Sequence, residues 1–418
     1  MGNLQTRISK SPQTRTPDTS QTQTPATNRR EFIKNGLGVA GFAAASSIMA
    51  ACEIPDAEKA SDTEETDRIP EEREEKGSAD AVEPEIEWEM AVSWRPELLT
   101  LYNTARFFAT KVSNITGGRF KINPRPAGEL VTAFDVLPAV RDLEVDIGYS
   151  ASYYHLHADP VQAFGTTIPF GLTQRQQNAW LYHGGGLDLL NNFYANEYEI
   201  IVFPAGGSGC QMGGWFTKEI NRTGDLDGLR MHIPGLAGKV LEKFGVEVAP
   251  HTTILPDAIV KSIQDDVIDA AEFTGPADDL VLGFDEYEGR LYYYYPGWWE
   301  PGPVLEVQIS LDRWAELPPH YQNAVEVAAM AANLDSVASY DTRNSVDLEK
   351  VQRFAQIREF SPNLLAALKE ETDSLLDTIA DENSIFADIL TNWRRFRRKI
   401  IDWHQLAELS YLSHQGSH

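Results

Sequence analysis

From residue 88 onward the spacing of apolar positions changes every few residues. Residues 88–93 read as a strand. Across 97–116, Leu98, Leu101, Tyr102, Ala105, Phe108, Ala109 and Val112 recur at helical spacing, and Gly117-Gly118 supplies a stop. A strand over 119–124, a helix over 132–142 and a strand over 144–150 follow. This β-α-β-α-β opening predicts an α/β fold with a mostly parallel, doubly wound sheet. Ligands on such sheets gather at the carboxyl ends of strands, and the run Tyr149-Ser150-Ala151-Ser152-Tyr153-Tyr154-His155 stands at such an end. A second α/β unit is predicted from about residue 213, with strands over 229–233, 246–249 and 268–274 and helices over 236–244 and 254–264. Residues 304–311 read as a strand returning to the first sheet. Helical spacing over 324–337, 363–379 and 385–412 predicts that nearly everything after 319 is helical. The expected architecture is two α/β lobes crossed by at least two connections, with a helical C-terminal tail.

The chain before residue 88 has another character. Residues 1–27 are polar and rich in Thr, Gln and Pro, which predicts an unfolded segment. Asn28-Arg29-Arg30-Glu31-Phe32-Ile33-Lys34 then precedes a weakly apolar stretch over 37–51. Adjacent arginines before such a stretch fit a twin-arginine export signal, residues 1–51. At about 15 residues the stretch is shorter than the roughly 20 that span a bilayer. It ends Ile48-Met49-Ala50-Ala51-Cys52, similar to a bacterial lipobox, in which the cysteine is lipidated and becomes the mature N-terminus. Residues 52–87 carry fifteen acids and four bases and are expected to form a disordered, self-repelling tether.

Composition narrows the function classes. With 36 bases against 62 acids the net charge is -26, and a nucleic-acid partner is excluded because phosphates need basic side chains. Only 13 of the bases are lysines, a balance that suits solubility in high salt and equally an ordinary acidic exported protein. Cys52 and Cys210 alone make no disulfide framework, and Cys210 is expected to be a small core residue.

Several motifs carry candidate chemistry. Tyr182-His183-Gly184-Gly185-Gly186 is similar to an esterase oxyanion loop. The nearest nucleophile elbow, Gly206-Gly207-Ser208-Gly209-Cys210, has cysteine in place of its second glycine. An exported hydrolase is therefore the alternative reading, and a glycine-rich link between helices the better one. No histidine or cysteine pair has zinc spacing; His155 and His157 are expected as solvated loop residues. Arg394, Arg395, Arg397, Arg398 and Lys399 are expected on the exposed face of a helix. The block Tyr292-Tyr293-Tyr294-Tyr295-Pro296-Gly297-Trp298-Trp299 reads partly as core strand and partly as the apolar wall of a ligand site.

That block with Glu300 resembles a signature of the solute-binding proteins of tripartite ATP-independent periplasmic (TRAP) transporters, in the branch for 2-oxo and 2-hydroxy monocarboxylic acids. Ala127-Gly128-Glu129-Leu130-Val131, Ile168-Pro169-Phe170-Gly171-Leu172, Gln211-Met212-Gly213-Gly214-Trp215-Phe216 and Asp269-Ala270-Ala271-Glu272-Phe273 agree in order, over about residues 88–412. The resemblance implies a two-lobed periplasmic-binding-protein-like fold with a hinge of crossing strands. Lobe I would span 88–212 with 304–330, lobe II 213–303, and 331–418 would be dimerising helices. It implies a receptor without catalysis that takes a small organic acid with Na⁺ or Ca²⁺ and passes it to the transporter's membrane subunits. Gln211, Glu272 and the carbonyl of Phe273 would hold the cation; Gln211, Tyr154, His155, Phe170, His232, Glu272 and Trp299 would surround the ligand. Two departures stand out, one being that the tyrosine-rich ligand-side run ends in His155. The family usually has Arg where this chain has His232, and Arg230 aligns with a position expected to face away from the cleft. An imidazole is uncharged near neutral pH unless perturbed, so the ligand can differ from a simple 2-oxo acid or the cation can carry more of the charge compensation.

Overall fold

The computed structural model describes residues 84–415 except 167 and 250–253. The export signal, Cys52 and the tether as far as residue 83 lie outside the described residues. The first four strands are β1 (Ile86–Val92), β2 (Phe120–Arg125), β3 (Ile147–Ala151) and β4 (Ile200–Gly207). Short strands β5 (Trp215–Phe216), β6 (Arg230–His232), β7 (Glu247–Ala249) and β8 (Ala270–Ala271) follow, then β9 (Leu291–Tyr295), β10 (Val304–Ser310) and β11 (Ala355–Glu359). They form a five-stranded sheet, β2-β1-β3-β10-β4, and a six-stranded sheet, β11-β9-β5-β8-β6-β7.

The β-α-β-α-β opening is present. β1 pairs in parallel with β2 and with β3, joined through α1 (Leu99–Ile115) and α2 (Val136–Arg141). The predicted stripe is the reason α1 sits where it does: Leu101, Ala105, Phe108 and Val112 are buried in one core with Trp88 and Phe120, whose rings meet edge to face at 4.9 Å. Each of the buried Leu, Phe and Val side chains contributes about 1.5–3 kcal/mol. Helices α3 (Gln174–His183) and α4 (Gly186–Glu197) lead to β4, and β10 returns antiparallel between β3 and β4. On the second sheet, α5 (Gly235–Glu242) connects β6 to its parallel neighbour β7, while α6 (Ile259–Gln264) leads toward β8.

The chain passes between the sheets three times. Residues 208–214 run from β4 to β5, residues 296–303 run back from β9 to β10, and a 33-residue helix leads to β11. With α7 (Pro276–Val281) counted first, that helix is α8 (Pro319–Val351). Its small buried residues Ala324, Ala328, Ala329 and Ala332 let it lie close on α1 and β4. Ser336 accepts a hydrogen bond from the Gly207 amide at 2.9 Å, and the Tyr340 hydroxyl donates to Asp278 of α7. Helices α9 (Pro362–Glu382) and α10 (Ser384–His404) follow, and a π-helical turn (Gln405–Leu409) and a short helix (Ser410–Gln415) continue the tail.

Two expectations need correction. The tail is not wholly helical, because Ala355–Glu359 joins β9 as a parallel edge strand; only Ala355 in it is buried, so its apolar pattern is too weak to read. Further, β1 begins at Ile86, inside the stretch assigned to the tether. Among the described residues no helix is long and apolar enough to cross a membrane.

Candidate functional site

A cavity of about 70 Å³ lies where the two crossing segments meet the carboxyl ends of strands. One wall is aromatic. Beyond β3 the chain turns through Ser152–His155, bringing Tyr153 and Tyr154 to the cavity beside Trp94 and Phe134. The Tyr154 ring stands 4.5 Å from Tyr153 and 4.9 Å from Phe134, edge to face. Burial pushes the Tyr153 phenol well above its usual value and that of Tyr154 up to about 12, so both remain neutral hydrogen-bonding groups.

The opposite wall comes from the second sheet. His232 ends β6, Glu272 and Phe273 follow β8, and the parallel pairing of these strands sets them side by side. The Glu272 amide donates to the His232 carbonyl at 3.0 Å. The crossings supply the floor: Ser208 and Gln211 from one, Glu300 and Pro303 from the other. Close approach here requires glycine. A Cβ on Gly297 would come within 2.3 Å of the Gln211 carbonyl oxygen, and one on Gly214, at φ +86°, within 2.8 Å of the Ala271 carbonyl oxygen.

The electrostatics are one-sided. Burial, then the negative charges of Glu300 and Asp279, raise the Glu272 carboxyl well above its usual value. Burial raises Glu300 to about 8 against the opposing hydrogen bond from Gln211. Behind them Asp279, raised by burial to about 7, accepts hydrogen bonds from Trp215 Nε1 at 2.8 Å and the Tyr293 hydroxyl at 2.6 Å. Among the described residues, no lysine or arginine lines the cavity. Arg230 is held elsewhere, with Nε and Nη2 on the two oxygens of Asp269 at 2.9 and 2.7 Å. Beside the cavity an exposed ion pair, Arg95–Asp257 at 2.8 Å, links the neighbours of the lining residues Trp94 and Pro256.

These residues fit a hard cation. Gln211 Nε2 donates to Glu300 Oε2 at 2.8 Å and to Ser208 Oγ at 3.2 Å, while Gln211 Oε1 is buried without a hydrogen-bond partner. A desolvated amide oxygen in that state costs about 1–3 kcal/mol unless something engages it. Together with the Glu272 carboxylate and the Phe273 carbonyl it offers the all-oxygen ligand type that Na⁺ and Ca²⁺ take.

Of the residues proposed from sequence, Tyr154, Gln211, His232, Glu272 and Phe273 come together in the lining; His155, Phe170 and Trp299 do not. His155 lies on the same turn as Tyr154 but is buried rather than solvated. Phe170 stacks on Trp298 at 5.2 Å, and its carbonyl accepts from Arg397 at 2.7 Å. Trp299 packs beside Trp298 and Phe360. Apart from the exposed Tyr295, the aromatic block is therefore core, with Tyr293 stacked on Trp215 at 4.0 Å, and none of its tyrosines or tryptophans lines the cavity. Arg397 leaves the exposed face expected for the basic run and is half-buried, whereas Arg395, Arg398 and Lys399 are exposed. Cys210 is exposed rather than a core residue, its thiol 3.1 Å from the Pro301 carbonyl.

Sequence reasoning missed Trp94, Phe134, Tyr153, Ser208 and Glu300. Two of them carried a signal: Tyr153 in the run singled out at the end of β3, and Glu300 as an acid closing an aromatic block. The His183-Gly184-Gly185-Gly186 segment joins α3 to α4, away from the cavity lining. A Cβ on Gly186 would strike the Trp180 ring at 2.5 Å, so packing explains that glycine.

The description of the bacterial extracellular solute-binding proteins, family 7, matches residues 90–383. The chain belongs to that family. It is 41% identical over 330 residues to a monocarboxylate 2-oxoacid-binding periplasmic protein of Nostoc sp., covering 78% of this chain and 88% of the relative. A TRAP-transporter solute-binding protein of Bordetella bronchiseptica, solved as a mixed-occupancy dimer with copurified calcium and picolinate, superposes with a TM-score of 0.76 at 34% identity. The match covers 79% of this chain and 97% of that one. A TRAP periplasmic solute-binding protein of Pseudoalteromonas atlantica, solved with sodium and pyruvate, has a TM-score of 0.74 at 33% identity, covering 79% and 99%. The family and these neighbours are binding proteins of transporters, and nothing in them supports the esterase reading. This family 7 protein is a TRAP solute receptor with the two-lobed α/β fold expected from its sequence.

Proposed function

We propose that this receptor holds a small 2-oxo or 2-hydroxy monocarboxylate together with one Na⁺ or Ca²⁺ in the interlobe cavity. It delivers the acid unaltered to the membrane subunits of a TRAP importer. The observation that carries the reading is a cavity with two buried carboxyl groups, Glu272 and Glu300, and no lysine or arginine among the described residues of its lining. Burial already holds both carboxyl groups toward their neutral forms, so ionising them and admitting the carboxylate of an acid together needs a cation. Gln211 Oε1, Glu272 and the Phe273 carbonyl hold the cation, while Tyr154 and His232 orient the acid. At roughly 10–15 Å³ for each water, the space suits a solute of about half a dozen non-hydrogen atoms. Residues 88–212 with 304–330 and residues 213–303 act as lobes that close about the two crossings and exclude water, which strengthens the few polar contacts. The chain is exported by its twin-arginine signal, anchored through lipid on Cys52, and paired through its C-terminal helices.

Calorimetry with pyruvate, with and without Ca²⁺ or Na⁺, tests the site. Removing the cation abolishes tight binding by the native protein, and Glu272→Ala weakens it about thirtyfold or more, as expected for losing one partner of a buried charge pair. Affinity indifferent to both changes would falsify the cation site.

A further inference from the structure

The Gln211 side chain has both amide hydrogens engaged and its oxygen left over. Nε2 donates to Glu300 Oε2 at 2.8 Å and to Ser208 Oγ at 3.2 Å. Ser208 directs its own hydroxyl hydrogen to the Gly209 carbonyl at 3.4 Å, so its oxygen is left to accept. If the amide turned over, its oxygen would face a carboxylate and a hydroxyl oxygen whose hydrogen is already committed. With Glu300 ionised, the state a neighbouring cation favours, both contacts would be repulsive, because an amide oxygen has no hydrogen to offer. The observed orientation is thus the one that satisfies every donor, and it leaves Oε1 buried without a hydrogen-bond partner at the cavity.

We propose that Glu300 and Ser208 are positioning residues that lock the Gln211 amide with its oxygen toward the cation, and that Glu300 is not itself a cation ligand. This rests on the cation-dependent reading of the site. Partners that orient a metal ligand matter nearly as much as the ligand itself. The lock also ties the two chain crossings together. Ser208 and Gln211 belong to the segment leaving β4, and Glu300 to the segment returning to β10. The ligand oxygen is therefore presented only while the two crossings lie side by side, an approach that Gly297 permits.

Two substitutions at one position separate orientation from charge. Glu300→Gln removes the charge and keeps an acceptor oxygen for Gln211; Glu300→Met removes both. Apparent Ca²⁺ affinity is read by calorimetric titration in the presence of pyruvate, with melting of the ligand-free proteins as the check on folding. The expected result is Ca²⁺ affinity about tenfold or more weaker in the Met variant than in the Gln variant. In Ser208→Ala, affinity should fall about threefold or more from native, the worth of one hydrogen bond. Equal losses in both Glu300 variants overturn the lock, since charge or direct ligation would then explain Glu300. If Glu300→Met does not fold, Ser208→Ala decides, and native Ca²⁺ affinity in it overturns the proposal. Native protein that binds pyruvate regardless of cation defeats the underlying reading; native cation dependence with equal Glu300 variants defeats the lock alone.

Discussion

Glu306 shows what burial does to a single carboxyl group in this acidic chain. It sits on β10, where Tyr194 donates to its Oε1 at 2.9 Å and Gln308 Nε2 at 2.8 Å. Burial raises it from the usual 4.5 to about 7 despite those bonds. Across that window the folded protein keeps a proton that the unfolded chain releases. The contribution is complete below the unfolded value and is lost as pH rises through about 7. Asp278, raised by burial to about 6, and Asp279, raised to about 7, act in the same direction. The ligand-free protein should therefore lose stability between about pH 5 and about pH 8, and Glu306→Gln should reduce that loss by up to about 3 kcal/mol. Denaturant titrations at both pH values check this, and equal losses in native and variant protein would reject it. At this scale the sequence was informative only where a motif singled out a residue. Gln211, Glu272 and Phe273 were legible through their neighbours, whereas Ser208 and Glu300 matter through contacts between distant segments that no local pattern records. Trp299 and Phe170 misled because an aromatic residue looks alike in a wall and in a core.

Elements were more legible than contacts. The stripe of α1 and the opening parallel strands follow from apolar spacing, since burying one face of a helix or strand imposes its own period. Strands β5 and β8, two residues each, are too short to show a period and are defined by their partners. The end of the tail raises a separate question. Trp403, Leu406, Leu409, Tyr411 and Leu412 are all exposed, Leu406 at 78%, and such a run of exposed apolar side chains suits the pairing proposed for these helices. Sedimentation at micromolar concentration should show a dimer of the full chain and a monomer when the chain ends at His404. Monomer in both cases would remove the proposed role of these helices.

At the scale of the whole molecule the question is how the receptor stays near the membrane. If Cys52 carries lipid, native protein should fractionate with membranes, and Cys52→Ser should move it to the soluble fraction while pyruvate binding persists. Equal partition of the two would exclude the anchor. The sequence alone determined the fold class, the acidic balance and the motifs of a TRAP receptor, because periodicity, charge and local strings are properties of a linear chain. Only the tertiary structure decided which groups meet at the cavity, that the aromatic block lies behind it, and that a glutamate from one crossing orients a glutamine from the other. Those outcomes depend on where three separate passes between two sheets bring the backbone. Packing chooses among side chains of the same chemical type, and their order along the chain does not.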